Sequence, residues 1–251
     1  VEVLKRNLSR GFKNLAIFEA GHVFIPGEQL GSESIPPLGA RPSDEVLADL
    51  NAGIPQQPTF IAGLFAGTEH EAMPGAAPRA YDWRDALDAV RLVAAAVSAE
   101  IQVRNGVHTA FHPGRVAEVL NAAGERVGFA GELHPKLLQE LNLPERTCAF
   151  ELDFSALFAG RVEAHQATPV LTFPAATQDV ALLVDRDLPA SEVERVLCEG
   201  AGELLEDIRV FDDYRGTGID ESKKSLAFAL RFRAPDRTLT ADEASAAREA
   251  A

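Results

Sequence analysis

The chain has 251 residues, 46% of them hydrophobic, with 24 basic against 38 acidic side chains and a formal net charge of −14. That hydrophobic content excludes a disordered chain, and the length is enough for one large domain or two ordinary ones. The acidic balance argues against a general nucleic-acid binder, because neutralising phosphate dominates non-specific affinity and an acidic body repels the backbone.

The chain opens at Val1 in what reads as the middle of a helix, without a methionine, and stops within another after Ala251, as a piece of a longer protein does. Leu15 to Phe24 is rich in strand formers, and Phe60 to Gly67 reads as a buried strand. Between them, residues 26–58 form a Pro- and Gly-rich excursion expected to be a surface insertion, with one short helix from about Ser43 carrying Val46, Leu47 and Leu50. A longer helix from about Trp83 to Ala99 is expected to bury Leu87, Val90, Val93, Ala94 and Val97, with Asp82 and Asp85 at its positive end. Strand signals follow at Ile101 to Val103, Ala117 to Leu120 and Val127 to Gly131, then a helix at Pro135 to Leu141 and a strand at Cys148 to Phe154. Residues 1–160 therefore read as a mixed α+β domain. The polar stretch 161–170 is the expected linker.

From 171 to 251 the pattern is simpler. Gln178 to Val184 is a strand with Val180, Leu182 and Val184 inward, and Pro189 opens a helix with the stripe Val193, Val196, Leu197, Ala201 and Leu204. Two strands joined by a polar loop occupy Leu205 to Arg233, and Thr240 with Glu243 fits a capping box for a last helix. The order is βαββα, the ferredoxin-like βαββαβ without its last strand. In the 4-1-3-2 order of that fold, the missing strand leaves one edge of the 178–184 strand open.

In the Leu205 to Arg233 stretch, Leu226, Phe228, Leu230 and Phe232 alternate with Ser225, Ala227, Ala229, Arg231 and Arg233, as a half-buried strand requires. Asp212 and Tyr214 can share a face, but Ile208 and Val210 have the same parity, so a bulge or twist must intervene. From Ile208 to Arg237 seven basic residues face five acidic ones, a local reversal of the overall charge. An aromatic, an acid and a hydroxyl on a basic-rimmed sheet point to nucleobase recognition; an ordinary amphipathic hairpin is the other reading.

Other constellations are weaker. His108, His112, Glu132 and His134 are of metal-ligating type, and a metal-dependent hydrolase built on them is the alternative function, although His112 and His134 precede prolines in turn-like contexts where hydrogen-bonded structural roles are expected. Gly200-Ala201-Gly202 and Gly216-Thr217-Gly218 read as a helix stop and a hairpin tip, not as phosphate loops. Cys148 and Cys198 have no close pairing and are expected to be structural, in a reducing cytoplasm. No apolar run reaches membrane-spanning length and no signal-peptide order is present, so a soluble protein without a membrane partner is expected.

Several motifs in one order resemble the C-terminal region of the beta subunit of bacterial phenylalanyl-tRNA synthetase: Leu15 to Phe24 (LAIFEAGHVF), Phe111 to Arg115 (FHPGR), Gly131 to Pro135 (GELHP), Phe173-Pro174-Ala175, and Phe211 to Gly216 (FDDYRG) with Lys223-Lys224-Ser225. The resemblance implies an α+β chain: a class II synthetase-like, non-catalytic module up to about 160, then a truncated ferredoxin-fold anticodon-binding domain. Where catalytic class II relatives carry a Gly-rich turn and an arginine that grips ATP, this sequence has Glu151, Asp153 and Ala156, so no catalytic residues and no resident metal or cofactor are expected here. ATP and magnesium belong to the whole enzyme, and the family's magnesium ligands to a region upstream. Implied partners are a catalytic alpha subunit, in an assembly of two alpha and two beta chains, and tRNA(Phe). Carried over by position, Tyr214 stacks on an anticodon base while Asp212 and Ser225 bond to its edge, a carboxylate being able to accept from guanine N1 and N2. Arg215, Lys223, Lys224, Arg231 and Arg233 are the candidate phosphate contacts.

Overall fold

The computed structural model describes residues 1–27, 35–36, 38–161 and 170–251. Residues 28–34 and 37 of the Pro- and Gly-rich excursion, and 162–169 of the expected linker, lie outside the described residues. The chain divides into two compact units, Val1–His165 and Gln166–Ala251.

The first unit is built on an antiparallel six-stranded sheet of β1 (Leu15–His22), β2 (Thr59–Ala66), β3 (Ile101–Asn105), β4 (Phe111–Asn121), β5 (Arg126–Leu133) and β6 (Cys148–Asp153), in the order β1-β2-β6-β5-β4-β3. Around it run α1 (Glu2–Ser9), α2 (Asp44–Ala52), α3 (Trp83–Ala96), α4 (Pro135–Leu141) and α5 (Phe154–Ala159). The α3 helix starts at a capping box in which Asp82 accepts from backbone N–H groups of the first turn and Asp85 accepts from the Asp82 N–H. It ends earlier than the apolar pattern suggests, because Ser98 takes a left-handed backbone (φ 54°). Its Ala86, Leu87, Val90 and Ala94 are buried against Val119, Val127, Ala130, Phe150 and Leu152 of the sheet. Gly63 of β2 lies opposite Phe150, and a Cβ there would stand 2.2 Å from the phenylalanine ring, so this glycine makes room for the ring at the centre of the sheet. The α2 helix, capped by Ser43, buries none of its residues.

The second unit is a three-stranded antiparallel sheet, β7 (Ala176–Asp185), β8 (Leu205–Tyr214) and β9 (Lys223–Phe232), in the order β7-β9-β8, covered on one face by α6 (Ala190–Ala201) and α7 (Ala241–Ala250). Burial follows the alternation of the sequence: Leu226, Phe228, Leu230 and Phe232 of the central strand are fully inaccessible, and Val180, Leu182, Val184 and Ile208 pack beside them. Val193, Leu197 and Ala201 are the buried stripe of α6. Val196, expected in that stripe, is exposed. The α7 capping box is present, and the Thr240 backbone N–H, with Arg237, holds the Glu243 carboxyl at about 2. No strand pairs with the outer edge of β7 among the described residues.

Candidate functional site

The face of the second sheet turned away from its helices is decided by a bulge. Val210 pairs with Phe228 and Asp212 with Ala227, which leaves Phe211 as an extra residue in β8. An extra residue reverses which face the following side chains occupy. Ile208 thus stays on the helix-covered face opposite Leu230, while Asp212 and Tyr214 emerge on the open face opposite Ala227 and Ser225. This settles the parity conflict in the sequence. Alternation from Arg209 brings Phe211 to the open side too, where it is half exposed.

Across the sheet the open face forms rows. Tyr214 aligns with Ser225 and Leu183, Asp212 with Ala227 and Ala181, and Arg209 with Ala229 and Asp179. Ser225, Ala227 and Ala229 make the middle of the face a floor of small side chains, which lets a planar group approach the backbone. Tyr214 (45% exposed) and Leu183 (63% exposed) rise on either side of Ser225. Leu183 and Phe211 are site neighbours that the sequence reading lacks; the alternation of β7, which sets Leu183 opposite to Leu182 and Val184, is the sequence signal for the first, and the bulge that brings out the second is fixed only by pairing with β9.

Tyr214 is held in place. Its hydroxyl donates to the Thr217 carbonyl at 3.0 Å, and a Cβ on Gly216 would lie 2.6 Å from the ring, so the hairpin tip cradles the ring from one side. Gly216→Ala is expected to push the ring aside and shift its proton resonances, at a stability cost of no more than about 1 kcal/mol, since a half-exposed ring can swing into solvent. Unchanged Tyr214 resonances in an NMR comparison of the two proteins contradict the cradle. The Asp212 carboxylate and Ser225 Oγ make no hydrogen bond among the described residues, so both remain free to bind a ligand.

The candidate phosphate contacts fare differently. Arg215 is paired through two nitrogens with Asp213, both at 2.7 Å, and the guanidinium holds the Asp213 carboxyl below the usual carboxylate range. Lys223 bonds Asp185 at 2.6 Å, and Arg231 lies 2.7 Å from Glu206. Arg233 is a structural residue: its Nη1 donates to the Leu171 and Phe173 carbonyls, and its Nε lies 3.0 Å from Glu206 without the alignment of a hydrogen bond. Lys224 has core-face parity and is buried. Neither Arg233 nor Lys224 presents a free charge to a ligand, because alternation and packing turn them into the fold.

In the first unit, the residues of the hydrolase alternative do not form a ligand set. His112 and Glu132 line one pocket, but not within a group of three ligating side chains, and the buried His112 Nδ1 has no hydrogen-bond partner among the described residues, contrary to the hydrogen-bonded role expected for it. His134 Nδ1 accepts the Lys136 N–H at the start of α4, and His108 Nδ1 accepts the Ala110 N–H beside the Phe111 and Phe129 rings. The buried Glu132 carboxylate takes both its short contacts from Arg115, at 2.9 and 3.0 Å. No group of three metal-ligating side chains exists among the described residues. At the β6–α5 turn Asp153 accepts the Ala156 N–H at 2.9 Å, and Glu151 is exposed one strand position before Leu152. Acids thus occupy the turn, and no arginine stands at position 156. Cys148 is buried, which pushes its thiol up to about 12; Cys198, expected to be structural, is exposed. No helix among the described residues is long and apolar enough to cross a membrane.

Residues 1–154 match the family model described as the phenylalanyl tRNA synthetase beta chain CLM domain, and residues 172–251 match the ferredoxin-fold anticodon binding domain. Among curated proteins, the phenylalanine–tRNA ligase beta subunit of Leifsonia xyli subsp. xyli is 51% identical over 99% of this chain and 30% of its own length. That of Streptomyces avermitilis is 47% identical over 99% of this chain and 30% of its own length. The Mycobacterium leprae beta subunit is 44% identical over 100% of the chain and, again, 30% of its own length. The chain spans about 30% of the length of these relatives.

Proposed function

The chain belongs to the phenylalanyl-tRNA synthetase beta-chain family, and on that premise we propose that its second unit reads the anticodon of tRNA(Phe) while its first unit is a non-catalytic, class II synthetase-like scaffold for a catalytic alpha subunit. The observation that carries the reading is the β8 bulge, which sets Asp212, Tyr214 and Ser225 together on one open face over a floor of alanines. A base lying on that floor stacks on the Tyr214 ring, its edge meeting the Asp212 carboxylate and the Ser225 hydroxyl. A carboxylate that accepts from base donors gives an acidic protein a use for charge in RNA recognition that bulk attraction does not supply. By position in the fold we divide the chain into a module to about residue 160, a linker over 161–170 and an anticodon domain from 171.

The relatives' name is that of a ligase, and for the whole enzyme we assign ATP and magnesium to the alpha subunit and to other parts of the beta chain. The residues here do not fit them: Glu151 and Asp153 repel phosphate, Asp153 already satisfies a backbone donor at the turn, and no arginine is present to grip a nucleotide. For the alpha subunit, within an assembly of two alpha and two beta chains, we favour the side of the first sheet at its β1 end, where Phe18 and Val3 are exposed together.

The test of the anticodon reading is discrimination. Asp212→Ala and Ser225→Ala are expected to narrow the affinity gap between a stem-loop with a phenylalanine anticodon and one with an altered base, each by roughly 1–3 kcal/mol where its bond is made. A gap as wide as the wild-type one in both variants rejects the assignment.

A further inference from the structure

We infer that Arg209 is the cation that holds an RNA phosphodiester on the open face, beside the nucleotide whose base lies on Tyr214. The inference rests on the anticodon reading above and adds to it a backbone contact that no candidate in the sequence supplied. Among the arginines from Arg186 to Arg248, Arg209 is the one without a hydrogen bond or ion pair to the described residues. Arg186 is tied to a backbone carbonyl, Arg195 to Glu192 and Glu199, Arg215 to Asp213, Arg231 and Arg233 to Glu206, Arg237 to Asp236 and Glu243, and Arg248 to Gln178 and Glu249. A cation already closed on a carboxylate must break that pair to bind phosphate; a free one does not.

Its place fits the task. Arg209 is exposed on the open face, opposite Ala229, four residues along β9 from the Ser225 that faces Tyr214. Four residues of strand are roughly 13 Å, beyond the base on Tyr214 and within reach of a neighbouring nucleotide's backbone. Asp179 stands in the same row and Asp207 two positions earlier on β8, and neither is within ion-pair distance of Arg209. The other guanidinium at this end of the face, Arg231 opposite Asp207, is closed on Glu206, so among the described residues Arg209 is the arginine here that can take a phosphate without breaking an ion pair.

The experiment is equilibrium binding of the 251-residue chain to the phenylalanine-anticodon stem-loop and to an altered-anticodon stem-loop, across a series of salt concentrations. Arg209→Ala is expected to weaken both RNAs alike, roughly 5-fold at low salt, and to lower the slope of log affinity against log salt by about 0.7, the value for one phosphate of a single strand. Arg209→Lys is expected to keep the slope, and Arg215→Ala, which removes a cation already engaged by Asp213, to leave it nearly unchanged. Tyr214→Ala separates the two claims. If it weakens binding while Arg209→Ala leaves affinity and slope as they were, the phosphate assignment is wrong and the anticodon site stands; if neither variant has an effect, both are wrong. A change in base preference with Arg209→Ala also overturns the inference, since a phosphate contact is blind to sequence.

Discussion

Tyr214→Ala is expected to lower the affinity for the phenylalanine-anticodon stem-loop by roughly 1–3 kcal/mol, about 5- to 150-fold, with the folding midpoint unchanged. Stacking between a base and an aromatic ring depends on the ring being present, exposed and already oriented. All three conditions hold: the ring is partly exposed, its hydroxyl is fixed to the Thr217 carbonyl, and Gly216 leaves room beneath it. Fixing the ring before binding lowers the entropy cost of ordering it in the complex. Tyr214→Phe therefore separates the parts of the effect, since it keeps the stacking surface and removes only the bond to Thr217. Its expected cost is a small fraction of that of alanine. Fluorescence or calorimetric titration of the three proteins checks this, and equal affinities throughout exclude Tyr214 as a stacking platform.

Phe228→Ala is expected to destabilise the second unit by about 3–5 kcal/mol, the usual range for removing a fully buried phenylalanine. Phe228 is fully inaccessible at the middle of the central strand, paired with Val180 on one side and Val210 on the other, and packed in one cluster with Val193 and Leu197 of α6. Its neighbour Ala227 faces the other way, into the floor of the candidate site, so Ala227→Ser is expected to change stability by less than about 0.5 kcal/mol. Adjacent residues of one strand thus differ several-fold in their structural weight, because alternation sends one to the core and the other to the open face. Urea unfolding followed by far-ultraviolet circular dichroism reads both. A loss below about 1 kcal/mol for Phe228→Ala contradicts the packing described.

The elements visible in the sequence were those with strong local signals. The β9 alternation, the Thr240 capping box, the Asp82 start of α3 and the hairpin of β8 and β9 all stand where residue type and spacing placed them. The apolar stripes were less reliable at their margins: Val196 satisfies the helical period of α6 yet is exposed, because a three-stranded sheet covers only part of the helix. The histidines of the first unit have metal-ligating chemistry in one dimension, but in the fold His108 and His134 serve backbone donors and Glu132 serves Arg115.

For the candidate site the division is sharper. Asp212, Tyr214 and Ser225 were nameable from sequence because an acid, an aromatic and a hydroxyl on paired strands are chemically distinct, and the shared parity of Ile208 with Asp212 already required an irregularity between them. Its position, at Phe211, and its consequence, that Asp212 crosses to the open face, depended on hydrogen-bond register with β9. Register is a property of two strands together and is not carried by either alone. The charge of the site followed the same rule. The sequence contains every basic residue near the hairpin, and by itself determined that the stretch is locally cationic; only the tertiary structure decided which cations are free. Arg215, Lys223 and Arg231 are closed on acids from neighbouring positions or strands, while Lys224 and Arg233 are drawn inward. Among the described residues Arg209 is left open, because ion pairing is decided by distances of a few ångströms between residues that the fold, and not the chain order, brings together.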